Sequence, residues 1–191
     1  ASADDSTLNL TITNASGSAN NITIDANNNA DTTVNVGGTI GLTGTLHVGA
    51  NDGTATALFT ELTSAYGNID VNASNDATVS LDIATLNGDI TDFTVAADNS
   101  TIDVTTNSFL AGTPTNHSVD ITNLTATASL NSDVNITLNG DTNIGNDITA
   151  SADDSTLNLT ITNASGSANN ITIDANNNAD TTVNVGGTIG L

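Results

Sequence analysis

Asp25, Asn27, Asn29 and Asp31 place side-chain oxygens at every second position of one heptapeptide, DANNNAD. Calcium-binding loops use this one-three-five-seven spacing to turn alternate side chains toward a single hard cation. The same heptapeptide recurs with Asp174, Asn176, Asn178 and Asp180. A second septet, DTNIGND, offers Asp141, Asn143 and Asp147, close in sequence to Asp153 and Asp154. Ca2+ is the cofactor these patterns suggest. Against it, Ala30 stands where such a loop wants glycine, and Val36 where it wants a bidentate glutamate. A polar turn between the strand-like runs NITIDA and TVNV explains the same residues without an ion.

Other chemistries find less support. His47 in TLHVG and His117 in TNHSV each stand alone, without the partners of a nucleophilic triad or a zinc motif. His47 is expected to point outward from a strand and His117 to lie in a loop. The glycine-rich VGGTIGLTG (36–44) lacks the lysine and following helix of a phosphate loop. Phe59, Phe93, Phe109 and Tyr66 are all the aromatics, too few for the sugar platforms of a glycosidase cleft. The expectation is that the protein is not an enzyme.

Lysine and arginine are absent, and 21 carboxylates give a formal charge of −21. Such a chain has nothing with which to neutralise phosphates, so nucleic acid is not an expected partner. No apolar run in this segment reaches the roughly 18 residues of a spanning helix, so membrane insertion is not expected. The charge is nevertheless dilute: 11% of residues are charged and 37% are hydrophobic. A chain of that balance is expected to fold.

The elements that must position these residues are strands. LNLTIT, NITIDA, TLHV, NIDVNA, TVSLDIA, TIDVTT and DVNITL all alternate apolar and polar residues and are bounded by Asn, Asp, Gly or Ser. Only TATALFTELTSAYGN (54–68) has helical character, worth a few turns at most. NSFLAGTPTNHS (107–118) is the longest break in the pattern.

Residues 1–42 recur without substitution as 150–191. The chain therefore divides into one complete tandem unit, 1–149, and the start of an identical copy, 150–191, and is expected to be a window on a longer array. Two all-β architectures fit. A β-solenoid of stacked coils of roughly 20–25 residues is favoured; a tandem array of β-sandwiches is the alternative. Scarce aromatics suit a narrow interior, and Thr and Asn suit outward ladders. LNGD at 86–89 and at 138–141, with Asn-Gly between strand-like runs, is the opposing hairpin signal.

The weave of Thr, Asn, Asp and Ala through Val/Ile/Leu alternation, with no lysine, resembles repetitive regions of bacterial and archaeal cell-surface proteins. These are the S-layer proteins and giant repeat adhesins, some of them associated with RTX repeats. The RTX nonapeptide itself is matched poorly: Gly186-Gly187-Thr188-Ile189-Gly190 lacks the aspartate. The resemblance implies an extracellular, cell-surface structural role. The expected function is a tandem-repeat β-array forming a filament, sheath, S-layer or adhesin stalk, with copies of itself as partners. One unit holds 17 of the 21 carboxylates; spread over a rod of roughly 30 Å, they would gather cations, most strongly where carboxylates on adjacent coils face each other. The alternative is an ice- or surface-binding solenoid built on rows of threonine.

Overall fold

A computed structural model describes residues 1–108 and 119–191. Among them there is no helix, and every strand pair is parallel. The chain is a β-solenoid of about seven turns. Each coil contributes to three ladders.

The first ladder stacks Ser2–Asp4, Ile22–Asn27, Thr45–Asn51, residues 68–74, 92–98, 123–129 and 147–153, and Asn170–Asn176. The second stacks 7–12, 31–36, 54–59, Thr78–Ile83, Thr101–Asn107, 133–139, 156–161 and 180–185. The third is shorter and more irregular, running from 15–19 through 39–42, 61–65, 86–90, 119–121 and 141–144 to 163–166. Long strands such as Thr54–Ser74 and Asp133–Asp153 pass through all three.

Period-two alternation generates this fold directly, because it sends one set of side chains inward and the other to solvent. Among the described residues the inward rows fill mostly with Ile, Leu, Val and Ala, joined by Thr32, Thr106 and Thr142, with Phe59 and Phe93 as the two large aromatics. One inward row of the first ladder is alanine at every level: Ala3, Ala26, Ala50, Ala73, Ala97, Ala128, Ala152 and Ala175. It stands just before the corner leading to the second ladder, and its described members from Ala3 to Ala152 are buried.

That corner is made by residues in the left-handed region: Asp5, Asn28, Asp52, Asn75, Asn99, Leu130, Asp154 and Asn177. Asn and Asp tolerate this conformation because a short polar side chain can bond locally. Corners of two lengths alternate. After Asn28, Asn75, Leu130 and Asn177 a second left-handed residue follows (Asn29, Asp76, Asn131, Asn178), and then Ala30, Ala77, Ser132 or Ala179 before the next strand. The intervening corners are shorter by one residue, as in Asp5-Ser6 and Asp52-Gly53. Short and long steps therefore take turns along the first ladder, from Ser2 to Asp25 and then from Asp25 to Gly49.

The stretch 54–68 forms strand, not the few helical turns expected from its sequence. Ala55, Ala57, Phe59 and Leu62 are buried and the backbone pairs on both sides, which outweighs the helix preference of Ala, Leu and Glu. The Asn-Gly pairs make no hairpin either. Gly88 and Gly140 have φ of 103° and 91° and bend the chain within parallel ladders. One coil is longer than the rest, the one that separates Thr106 from its partner Leu138. The excess falls between Asn107 and Val119. Phe109, Leu110, Pro114 and His117 lie outside the described residues.

Candidate functional site

The outward rows explain how so acidic a chain folds without lysine or arginine. Asn side chains donate from one coil to the Asp or Asn stacked on the previous one. Asn99 Nδ2 bonds Asp76 at 2.7 Å, Asn123 bonds Asp92 at 2.8 Å, Asn135 bonds Asp103 at 3.0 Å and Asn170 bonds Asp147 at 3.0 Å. Some runs are longer: Asn169 donates to Asn146, Asn146 to Asn123, and Asn123 to Asp92. In each inter-coil bond between an Asn amide and an Asn or Asp among the described residues, the donor belongs to the later coil. A carboxylate is thus met by an amide N–H, a charge-assisted bond that supplies part of what an absent cation would.

The candidate calcium residues are distributed along this scheme. Asp25 and Asn27 lie on the first ladder, Asn29 (φ 60°) in the corner, and Asp31 at the start of the second ladder. Asp174, Asn176, Asn178 and Asp180 repeat that placement in the last coil. Asp141 and Asn143 stand on the third ladder, Asp147 on the first. Asp141 and Asp147 accept amide bonds from Asn163 and Asn170. Among the described residues no group of three or more His, Cys, Asp or Glu is arranged to hold a metal.

The register keeps carboxylates apart. Asp is opposed by Asn, Thr, Ser, Gly, His or an apolar residue on neighbouring rungs, with one exception among the described residues, Asp89 opposite Asp120. With Asn143 and Tyr66 this pair lines a surface hollow. Tyr66 has φ 63° and is 76% exposed. Asp120 is exposed and Asp89 half-buried, so neither is desolvated as a general acid must be.

His47 is the second distinctive cluster. Its Nδ1 lies 2.9 Å from Asp70 Oδ2 on the next rung, and its Nε2 3.2 Å from Asp25 Oδ1 on the previous coil. The hydrogen bond to Asp70 raises its pKa above the usual imidazole value; partial burial opposes this, and the charges of Asp70 and Asp25 assist it. The sequence placed His47 outward on a strand, but not between carboxylates of the coils before and after it. Coil length was the missing information.

Outward threonine rows are of two kinds: Thr94, Thr125, Thr149 and Thr172 run unbroken on the first ladder, while the row that opens the second is interrupted. Along the second ladder Thr7, Thr54, Thr78, Thr101 and Thr156 share an outward row with Asp31, Asp133 and Asp180.

The chain matches no family model, no curated protein and no solved structure. Its own geometry carries the functional argument.

One relation in that geometry stands out. Ladder partners lead from Ser2 to Asp25, Gly49, Asn72, Ala96, Thr127 and then Ser151. Six steps arrive at Ser151, the counterpart of Ser2 in the second copy. The unit in the sequence is a whole number of coils.

Proposed function

We propose that the protein is an extracellular structural array in which identical six-coil units stack without interruption into a cation-stabilised rod, as a filament, sheath, S-layer element or adhesin stalk. The observation that carries this reading is the whole-number relation between the sequence repeat and the coil. A repeat of any other length would rotate each unit out of phase with the last. With a whole number of coils, the ladders, the amide rows and the corner column run on through the junction. Burial supports the same reading. Leu157, Leu159 and Ile161 are fully covered by the coil before them, while their counterparts Leu8, Leu10 and Ile12 are not. Continued stacking also leaves no strand edge open along the rod. The cell-surface assignment rests on the compositional resemblance to S-layer and adhesin repeats. The cation reading is supported by the net charge and by the Asp89–Asp120 pair, where a divalent ion would relieve most repulsion.

Images of purified protein containing several units test the first part. Six rungs at about 4.8 Å give an axial period of about 29 Å. Continuous rods with that spacing are expected, and separate beads would refute the array. Thermal unfolding in millimolar calcium and in chelator tests the second. Calcium should raise Tm in the parent and raise it less in Asp120→Asn; superimposable curves would remove the ion from the proposal.

A further inference from the structure

Gly49 is the single glycine in its outward row, between Asp25 and Asn72 on the adjoining rungs. It sits inside the strand Thr45–Asn51, where glycine weakens pairing and packs nothing. Its φ is not in the left-handed region, so the backbone does not require it. What its missing side chain provides is space. A Cβ there would lie 2.7 Å from His47 Nε2, 3.1 Å from Asn72 Oδ1 and 3.3 Å from Asp25 Oδ1. Three potential metal ligands from three successive coils thus converge on one opening, one of them an amide oxygen.

The fourth group completes the pattern. Asp70 accepts a hydrogen bond from His47 Nδ1, which fixes the ring and leaves Nε2 facing the opening. A carboxylate behind a histidine in this manner orients the imidazole and raises its basicity toward a metal. With Nδ1 carrying the proton, Nε2 and Asp25 Oδ1 are two acceptors 3.2 Å apart, and something positive must stand between them. A proton would serve. So would an ion, since two ligands each about 2.1 Å from zinc at a tetrahedral angle are separated by roughly 3.4 Å.

We propose that the space above Gly49 is a binding site for a first-row divalent transition ion of the zinc class, ligated by His47 Nε2, Asp25 Oδ1 and Asn72 Oδ1, with Asp70 positioning the imidazole. The half-exposed side chains close on the ion by small rotations, and water fills the remaining positions. Binding displaces the proton from Nε2. The imidazole nitrogen distinguishes this site from the oxygen-only coordination that calcium prefers. Spanning three coils, the ion would pin the first ladder across its neighbours.

Calorimetric titration with Zn2+ at pH 7.5, together with imidazole NMR, tests the assignment. One zinc per chain should bind, shifting the His47 ring signals and leaving those of His117 unchanged. Gly49→Ala keeps every ligand but fills the opening, and its methyl meets only side-chain ends, His47 most closely, so the variant should fold. It should weaken zinc binding at least tenfold, as should His47→Gln, which can still hydrogen-bond Asp70. Neither variant should alter the calcium response. Unchanged zinc affinity in both variants, a zinc response confined to His117, or no binding by the parent would each overturn the proposal.

Discussion

Leu10 and Leu159 occupy the same place in two identical segments, yet Leu10 is 39% exposed and Leu159 fully buried. For Ile24 and Ile173 the order reverses: Ile24 is exposed by only 1% and Ile173 by 50%. Stacking causes the exchange, because the outermost levels of the first segment lack a coil before them and those of the second lack a coil after. Truncating Leu159 to alanine removes fully buried methyl groups and leaves a closed cavity, at a cost of about 3 kcal/mol within a usual range of roughly 2–5. At Leu10 some two-fifths of the transfer energy is already absent and solvent enters the vacated space. About 1 kcal/mol is expected there, from a full-burial value of roughly 1.5–3. By the same reasoning Ile24→Ala should cost about 3 kcal/mol and Ile173→Ala about 1. Urea unfolding followed by far-ultraviolet circular dichroism gives the four values, and amide exchange shows which coils loosen. The pattern of signs is the test: the second copy is the more sensitive at one pair and the first copy at the other. Equal costs within each pair would mean that the copies fold separately, and would refute the stacked arrangement.

Three further outcomes are expected. Ala73→Leu overpacks the alanine row and should destabilise by about 1–3 kcal/mol, whereas Ala96→Leu on the outward side of the same ladder should change the urea midpoint little. Gly88→Ala should be severely destabilising, because φ is 103° and the new Cβ would lie against Ser64 O; Gly145→Ala, with its nearest neighbours at 3.8 Å, should be close to neutral. In chelator, the raised pKa of His47 predicts stability that is fully present below the unfolded value of about 6.5 and is lost as pH rises through the folded pKa. The half-exposed contacts limit this to about 0.5–1 kcal/mol. His47→Gln should flatten that part of the profile, and an unchanged slope would show that the pairing with Asp25 and Asp70 contributes nothing.

Alternation in runs such as NITIDA and TIDVTT made the strands and their inward residues legible, and the scarcity of aromatics pointed to a narrow interior. Residues 54–68 were not legible, since Ala, Leu and Glu favour helix locally and only pairing with 31–42 and 78–90 decides for strand. Asn-Gly was ambiguous for a related reason. Glycine with positive φ serves both a hairpin and a bend in a parallel ladder, and local sequence does not say which. The heptapeptide around Asn28 and Asn29 was legible as a turn, since both residues take the left-handed conformation that asparagine tolerates. The His47 cluster and the Asp89–Asp120 pair depend on which residues meet across coils. Once the length of each coil is known, both follow from the sequence, and so does the alanine row.

Because short and long corners take turns, the smallest interchangeable piece of this solenoid is not one winding but two. Gly49 lies two rungs beyond Ser2, so one such piece is the stretch 2–48. Excising or duplicating it returns every level to a neighbour of the kind it had before. Removing a single winding would set two like corners against each other. Six windings per unit is an even number, so adding or removing a whole unit leaves the alternation of corners intact.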